Sequence, residues 1–270
     1  MMKADYHTHT NFSTDAPRSS TPEVQIEGAI AKGLEIICIT DHMDKDYDAE
    51  GKRFVFDTEQ YFATLRPLQE KYKGKIEVLI GVELGLQPHL RDFAKEYVNK
   101  YPFDFVIGSS HMLQGKDPYY RENFSELTDK ELYRAMFEET LNIVKHMDDF
   151  DSLGHLDYIV RYGREQEHSY SYKENREIID EILKMLIVHG KGLEFNTAGL
   201  KYGLSFAHPY PEILKRYREL GGEIITVGSD GHKPEHLAYD FHKVKEMLYA
   251  CGFKYYTEFR QRKPIFKQVK

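Results

Sequence analysis

The sequence predicts an α/β fold in which parallel strands form a barrel. Short apolar strands alternate with longer amphipathic helices, seven such units follow one another within 270 residues, and no linker rich in Pro, Gly or Ser interrupts them. Strands that alternate with helices imply right-handed βαβ crossovers and therefore a parallel sheet. Seven consecutive units favour a closed or nearly closed barrel in a single domain over residues 1–270. An open, doubly wound sheet is the alternative architecture.

The predicted strands are short apolar segments bounded by polar residues. They cover residues 3–6, 35–40, 76–82, 103–108, 151–154, 192–195 and 223–227. The predicted helices lie between them, at residues 22–32, 58–72, 90–100, 129–147, 173–189, 211–220 and 234–250. Two helix starts are well marked: Thr21 precedes a proline at the first helical position, and Thr128 with Glu131 forms a capping box.

The composition narrows the class of protein. The net charge is −7 and the basic residues are scattered, so we do not expect a basic surface patch that binds nucleic acid. Cys38 and Cys251 form no C-x-x-C pair, which is typical of reduced, buried thiols. The first residues lack the apolar segment of a signal peptide, and no apolar run reaches the length of a membrane span. We therefore expect a cytoplasmic protein that binds neither membranes nor nucleic acid.

A residue able to bind a metal ion follows every predicted strand. In strand order these residues are His7, His9 and Asp15, then Asp41 and His42, then Glu83, His111, His155, Glu194 and Asn196, and finally Asp230 and His232. Imidazole and carboxylate groups are ligands for Zn²⁺, Fe²⁺ or Mn²⁺. In a barrel of parallel strands these ends meet at one mouth. The set exceeds what a single ion needs and suits two or three ions.

An ordinary structural role is the alternative for each of these residues taken singly. A lone histidine at a strand end is more often hydrogen-bonded than metal-bound, and an H-x-H pair such as His7 and His9 also arises by chance. Seven strand ends with the same chemistry are hard to explain as independent accidents. His208 follows the sixth strand and is an intermediate case. The histidines away from strand ends are interpreted as structural or solvent-facing: His89, His146, His168, His189, His236 and His242.

Together, these motifs resemble the PHP family of polymerase and histidinol phosphatase domains. The resemblance spans nearly the whole chain, from His7-Thr8-His9 to Gly228-Ser229-Asp230-Gly231-His232. It implies a distorted seven-stranded (β/α) barrel with its active site, a trinuclear metal site, at the C-terminal ends of the strands. The resemblance also implies which residues bind each ion. The first ion would be bound by His7, His9, Glu83 and Asp230, the second by Glu83, His111 and His155, and the third by Asp15, His42 and His232. Some relatives have a histidine where this chain has Asp15, so the third site can differ in metal preference.

Within the family, further local matches are most similar to the barrel-type histidinol-phosphate phosphatases. They include Glu194-Phe195-Asn196-Thr197-Ala198-Gly199-Leu200 and His208-Pro209-Tyr210-Pro211. One departure is Lys201, where close relatives are expected to have arginine; lysine offers a phosphate a point charge without bidentate geometry. The resemblance implies hydrolysis of histidinol phosphate, a step in histidine biosynthesis.

The expected chemistry is attack on phosphorus by a hydroxide that bridges the first two ions, with three ions drawn from Zn, Fe or Mn. Glu83 and Asp230 hold that metal pair. Protonation of the leaving oxygen falls to Asp230 or His208, and the sequence leaves this choice open. Candidate contacts to the phosphate are Arg161, Arg164, Lys201 and Asn196. For Arg161 and Arg164, the alternative to a phosphate contact is that each is an ordinary solvated charge on a loop.

Long polar loops at residues 43–57, 112–127 and 161–172 follow strands and should surround the mouth. We expect acidic and tyrosine side chains there to recognise a cationic leaving group: Asp44, Asp46, Tyr47, Asp48, Asp117, Tyr119, Tyr120 and Glu122. The alternatives are a PHP-type exonuclease or nucleotide phosphoesterase, and a non-catalytic binding domain. The expected partner is a small phosphate ester, and the expected state is a monomer or small homo-oligomer.

Overall fold

The computed structural model describes residues 2–49 and 51–269, apart from the side chains of residues 48, 49 and 52. The strands are β1 (Ala4–Thr8), β2 (Ile36–Ile39), β3 (His42–Ala49), β4 (Lys52–Phe54), β5 (Glu77–Gly85), β6 (Phe105–Ser109), β7 (Ser152–Leu153), β8 (Gly192–Asn196), β9 (Ile225–Gly228), β10 (Tyr255–Arg260) and β11 (Lys263–Gln268). The α-helices are α1 (Pro22–Ala31), α2 (Thr58–Tyr72), α3 (Arg91–Lys100), α4 (Asp129–His146), α5 (Tyr172–Val188), α6 (Ala198–Lys201), α7 (Pro211–Glu219) and α8 (Phe241–Ala250). None of the helices in this described part of the chain is both long and apolar enough to cross a membrane.

Parallel strands form a nearly closed barrel in the order β1-β2-β5-β6-β7-β8-β9. The last strand meets the first where Thr8 pairs in parallel with Gly231. His9 N donates to Gly231 O at 3.0 Å, and Gly231 N donates to His7 O at 3.3 Å. The predicted barrel is confirmed, and the open sheet is wrong because the segment just after β9 hydrogen-bonds to the end of β1.

The interior of the barrel holds a small apolar cluster at the end opposite the metal-binding residues. The side chains in it point away from the helices: Ala4, Tyr6, Ile36, Cys38, Leu79, Phe105, Ile107 and Phe259. The other face of the same strands packs on the helices, as Ile37, Ile39 and Val106 show. Cys38 and Cys251 are both buried and unpaired, as predicted, and burial raises the pKa of the Cys38 thiol.

A β-bulge in β1 changes which side chains face the interior. Asp5 pairs with Ile37 and Thr8 pairs with Ile39, so β1 contains one residue more than β2 over this stretch. Tyr6 therefore packs in the apolar cluster, and the next residue, His7, also faces the interior, where it contacts Glu83. Beyond the bulge the usual alternation places His9 on the same face as His7.

A C-terminal hairpin that the sequence did not predict closes the bottom of the barrel. β10 and β11 pair antiparallel, and Phe259 inserts against Phe105 with ring centroids 5.0 Å apart. The turn residues Gln261 and Arg262 have φ angles of 50° and 62°. Such a turn usually contains Asn or Gly, so the sequence lacked the signal that marks a hairpin.

Two further predictions about secondary structure were wrong. The predicted loop 43–57 contains the β3–β4 hairpin. The predicted helix 234–250 is a short 3₁₀ helix, Pro234–His236, followed by α8, because Ala238 and Asp240 have positive φ angles that interrupt an α-helix. Both predicted N-terminal caps are confirmed: Thr21 accepts from Val24 N, and Thr128 and Glu131 form a capping box.

Candidate metal centre

The barrel topology brings the ends of its strands together, and Glu83 lies at the centre of the cluster. Its Oε2 is 3.1 Å from His7 Nε2 and 3.1 Å from His42 Nδ1. Its Oε1 is 3.2 Å from His111 Nε2 and 3.0 Å from His155 Nε2. Its Oε2 is also 3.4 Å from His9 Nε2. One buried carboxylate therefore contacts five histidines from four strand ends, which is the arrangement expected of a bridging ligand.

Asp230, two residues after β9, is the second carboxylate that contacts histidines of the cluster. Its Oδ1 is 3.4 Å from His9 Nε2 and 3.5 Å from His232 Nδ1. Asp230 has a φ of 53°, a left-handed conformation that Asp tolerates better than most residues. This backbone conformation turns the carboxylate back over the mouth of the barrel.

Asp15 lies at the outer edge of the cluster. Its Oδ2 is 2.9 Å from His232 Nε2 and 3.7 Å from His42 Nε2. The ring of His9 stacks on His232 at 4.0 Å and on His42 at 4.4 Å between centroids. The structure thus brings together all nine residues predicted to bind metal: His7, His9, Asp15, His42, Glu83, His111, His155, Asp230 and His232.

The donor set fits divalent metal ions. Several buried nitrogen and oxygen atoms of the cluster lie close to one another, but among the described residues none of them has a partner in hydrogen-bond geometry: His7 Nε2, His9 Nε2, His42 Nδ1, Glu83 Oε2 and His232 Nε2. Unpartnered buried polar atoms are costly, so atoms of this kind collected in one place indicate a binding site for cations. Four overlapping groups of three ligand atoms each lie within 4.8 Å: His9, His42 and His232; His7, His9 and Asp230; His7, Glu83 and His155; and His42, Glu83 and His111.

The electrostatics favour ionised carboxylates at neutral pH. Burial raises the pKa of Glu83, but His7, His42 and His111 outweigh it and hold that pKa well below its usual range. The pKa of Asp230 is likewise well below its usual range, because His9 and His7 outweigh the effect of burial. Both side chains are therefore available as anionic ligands.

Carboxylates behind the histidines fix their orientation. Glu194 Oε1 is 2.7 Å from His7 Nδ1, and its Oε2 accepts from His155 N at 2.8 Å. Asp44 Oδ1 is 2.6 Å from His111 Nδ1. Such contacts set the tautomer and the basicity of a metal-binding histidine. The sequence placed Asp44 among the residues that recognise the substrate, whereas the structure places it between His111 and His42.

Two of the four predicted phosphate contacts lie beside the metal cluster. The guanidinium of Arg161 is buried and its two terminal nitrogens are each 3.4 Å from Asp230 Oδ2. Lys201 Nζ donates to the backbone carbonyl of Asp230 at 2.7 Å. Burial lowers the pKa of Lys201 to about 8.

The structure does not bring the other two predicted phosphate contacts to the pocket. Arg164 is exposed, and its guanidinium donates to Ser125 O at 3.0 Å, so the solvated-loop alternative describes its environment. Asn196 is fully buried, donates to Glu194 Oε2 at 3.1 Å and accepts from Ala198 N at 2.8 Å. Its amide supports the carboxylate behind His7.

His208 is buried and both of its ring nitrogens have partners. Nδ1 is 2.6 Å from Asp157 Oδ1, and Nε2 accepts from Arg161 Nε at 2.9 Å. Burial, with the positive charge of Arg161, lowers the pKa of His208 to about 4. The imidazole is therefore neutral at physiological pH, donating to Asp157 and accepting from Arg161.

A pocket of about 460 Å³ opens above the cluster. Aromatic side chains form much of its wall: Tyr47, Phe54, Tyr119, Tyr120, Tyr158, Tyr162 and Tyr202. Asp117 and His236 also line it, although the sequence had suggested a structural or solvent-facing role for His236. Asp46 instead pairs with His89, Glu122 does not line the pocket, and the side chain of Asp48 lies outside the described part of the chain.

The chain is similar in sequence to known protein families and relatives. Residues 5–198 match the model of the PHP domain. The chain is 34% identical to the histidinol-phosphatase of Lactococcus lactis over 94% of this chain and 93% of that protein. It is 36% identical to a probable histidinol-phosphatase of Clostridium acetobutylicum over 94% of this chain and 95% of that protein.

A solved structure is similar over nearly the whole chain. It is the crystal structure of histidinol phosphate phosphatase from Lactococcus lactis complexed with zinc, L-histidinol and phosphate, with a TM-score of 0.88 and 34% identity, covering 97% of this chain and 98% of that chain. The family model matches most of the chain, and the two relatives are each more than 30% identical to it. Both kinds of comparison therefore assign the chain to one family. The chain belongs to the PHP family.

Proposed function

We propose that this protein hydrolyses L-histidinol phosphate to L-histidinol and phosphate at the metal centre described above. The observation that carries the proposal is the similarity of nearly the whole chain to histidinol-phosphatases, one of which was crystallised with zinc, L-histidinol and phosphate. The protein is thus a phosphoric monoester hydrolase. The mouth of the barrel provides the two requirements of such an enzyme, a cluster of metal-binding side chains and a buried arginine.

Three divalent ions are proposed, held by the nine side chains of the cluster. His7, His9, Glu83 and Asp230 would hold the first; Glu83, His111 and His155 the second; Asp15, His42 and His232 the third. The contacts of Glu83 with five histidines support its bridging role. Imidazole and carboxylate donors without thiolate are compatible with zinc, iron or manganese.

Bound ions would neutralise the phosphoryl oxygens and lower the pKa of a water towards neutrality. The protein itself supplies orientation and a proton acceptor. Arg161 is held by His208 and Asp230, so its guanidinium is fixed before the phosphate arrives. Asp230 is ionised and lies within the cluster, so its carboxylate can accept the proton released by the attacking water and pass it to the leaving oxygen.

His208 is the weaker candidate for that proton transfer. Its ring is neutral and both of its nitrogens are already engaged by Asp157 and Arg161. A proton donor needs a protonated group that can reach the leaving oxygen. We therefore assign the proton transfer to Asp230 and give His208 the role of orienting Arg161.

A substrate panel with purified, metal-analysed protein tests the proposal. Histidinol phosphate, glycerol phosphate and a nucleoside monophosphate share the phosphate and differ in the leaving group. We expect catalytic efficiency to be highest for histidinol phosphate by about one to two orders of magnitude, the effect of one charge-assisted contact to the leaving group. Equal efficiencies, or a preference for the nucleotide, would move the protein to another phosphoesterase function. A cytoplasmic location, a monomeric or small homo-oligomeric state and a single domain over residues 1–270 stay predictions.

A further inference from the structure

We infer that Asp117 is the specificity residue of the pocket, a carboxylate that binds the cationic nitrogen of the leaving group. This inference rests on the proposed function, because it concerns the part of the substrate that the metal centre does not touch. Asp117 lies in the segment between β6 and α4 and lines the wall of the pocket.

Asp117 differs from the other carboxylates that line the pocket. Asp15 and Asp230 lie 2.9 Å and 3.5 Å from nitrogens of His232, and Asp44 lies 2.6 Å from His111. These three carboxylates are engaged with the metal-binding histidines. Among the described residues, no ion pair joins Asp117 to a histidine, lysine or arginine, so its negative charge remains available to a ligand.

The Asp117 carboxylate is held in place by neutral groups. Its Oδ2 accepts a hydrogen bond from the hydroxyl of Tyr47, which comes from β3, and its Oδ1 accepts from Tyr119 N at 2.8 Å. Burial and the neighbouring Asp117 raise the pKa of Tyr47, so this phenol stays protonated and remains a donor. An ionised carboxylate has about four acceptor positions, so two fixed hydrogen bonds orient Asp117 and leave capacity for a ligand.

Aromatic rings surround this carboxylate. Tyr119 packs edge-to-face on Tyr162 at 5.7 Å, Tyr162 packs on Tyr158 at 5.6 Å, and Tyr47 packs on Phe54 at 4.7 Å between centroids. Such rings offer flat apolar surfaces to an imidazole and negative faces to an ammonium group. A carboxylate within an aromatic wall is a site for an organic cation.

A positive and a negative side chain lie near the same part of the pocket wall. Arg161 lines the pocket and contacts Asp230 beside the metal-binding residues, and Asp117 lies among the aromatic residues of the wall. Tyr162 is close to both: burial raises its pKa, Arg161 lowers it and Asp117 raises it. A substrate with a phosphate at one end and a cationic nitrogen at the other matches this pair of charges, whereas a neutral or anionic leaving group would face the Asp117 charge without compensation.

The substitution Asp117→Asn tests the inference, with Asp46→Asn as the matched control. Asparagine keeps the size of Asp117 and an oxygen that can accept from Tyr119 N, while the charge is lost. Asp46 lies on the same strand as Tyr47, is exposed and pairs with His89 outside the pocket; its φ of 61° is a conformation that asparagine also tolerates.

We expect Asp117→Asn to lower the catalytic efficiency for histidinol phosphate by about ten- to a hundredfold, mainly through KM. The efficiency for glycerol phosphate should not fall, because that substrate has no cationic nitrogen for Asp117 to bind. Asp46→Asn should leave both substrates unaffected. An equal loss on both substrates, or no loss on either, would overturn the inference.

A binding measurement separates this inference from the proposed function. By calorimetry, Asp117→Asn should weaken the binding of L-histidinol at least about tenfold and leave the binding of inorganic phosphate unchanged. If the wild-type protein fails to hydrolyse histidinol phosphate, the proposed function fails, and the L-histidinol titration still decides the role of Asp117. Unchanged L-histidinol affinity in the variant would contradict the inference. If the inference is supported, phosphoethanolamine shows which nitrogen of the substrate Asp117 contacts, because this substrate keeps the ammonium group and lacks the imidazole.

Discussion

The Nε2 atom of His208 accepts a hydrogen bond from Arg161 Nε at 2.9 Å, while Nδ1 of the same ring lies 2.6 Å from Asp157 Oδ1. Asp157 is in turn fixed by Tyr210 N, which donates to its Oδ2 at 2.8 Å. A buried chain of hydrogen bonds thus runs from the loop before α7 to the guanidinium beside the metal centre. It restricts the rotamers of Arg161. Burial and the positive charge of Arg161 lower the pKa of His208 and outweigh the opposing effect of Asp157, so the neutral form of His208 is favoured.

Replacing His208 should therefore act on phosphate binding. We expect His208→Ala to reduce catalytic efficiency by about tenfold, with a raised inhibition constant for inorganic phosphate, because Arg161 loses its orienting acceptor. His208→Gln should recover part of the loss, since its amide oxygen can accept from Arg161. A fall in kcat alone, without recovery in the glutamine variant, would instead indicate that His208 donates a proton.

The low pKa of His208 also predicts a pH dependence of stability. Its pKa of about 4 lies below the unfolded value of 6.5, so the unfolded state binds more protons between these pH values. The free energy of unfolding should fall as the pH decreases through this window, by about 2 kcal/mol between pH 7 and pH 5. Urea unfolding of the wild type and His208→Gln at both pH values isolates this contribution, because other groups titrate in both proteins. An equal pH response of the two proteins would contradict the prediction.

Removal of metal should abolish activity. We expect about three divalent ions per chain by elemental analysis, since nine candidate ligands supply three or more for each ion. Treatment with a chelator should remove activity, and addition of zinc, manganese or iron(II) should restore it. Full activity in a preparation that elemental analysis shows to be free of metal would refute the whole assignment of the site.

Glu83 should be the most sensitive of the metal-binding residues. Glu83→Gln removes the charge of the carboxylate that contacts five histidines, so we expect activity to fall by more than about a hundredfold and the metal content to drop. Asp230→Asn should behave similarly. Glu235→Gln, an exposed position on the loop after β9, is the matched control and should retain both metal and activity.

The two arginines of the loop after β7 should differ. Arg161→Ala should lower catalytic efficiency by about one to two orders of magnitude through loss of a charge-assisted hydrogen bond to the phosphate. Arg164→Ala should have little effect, since its guanidinium is exposed and bonds to Ser125 O. Steady-state kinetics of both variants provide the comparison, and equal losses would show that Arg164 also reaches the substrate.

The C-terminal hairpin should contribute to stability without taking part in catalysis. Phe259 is 3% exposed and packs on Phe105, so Phe259→Ala should lower the free energy of unfolding by about 3–5 kcal/mol. Ile265→Ala, on the exposed strand of the same hairpin, should change it by less than about 0.5 kcal/mol. Chemical denaturation measures both values. Similar effects of the two substitutions would show that Phe259 does not seal the barrel.

Much of the fold and the composition of the site were predictable from the sequence. Strand and helix periodicity predicted the parallel barrel, because burial on both faces makes its strands almost continuously apolar. The position of each candidate ligand directly after a strand predicted that they would converge, since all parallel strands end at the same mouth. These are local signals whose meaning does not depend on a distant partner.

What the sequence did not determine depends on contacts between distant segments. The hairpin of β10 and β11 turns at Gln261 and Arg262, which carry no turn signal, and is stabilised by Phe259 packing on strand residues from the first half of the chain, such as Phe105. The roles of Asp44, Asn196 and His208 could not be read from their neighbours in the chain either. A side chain's role is set by the atoms that surround it, and only tertiary structure places Asp44 against His111, Asn196 against Glu194 and His208 against Arg161. The sequence by itself determined which chemical groups gather at the mouth of the barrel; the tertiary structure decided which of them face the pocket and which hold the others in place.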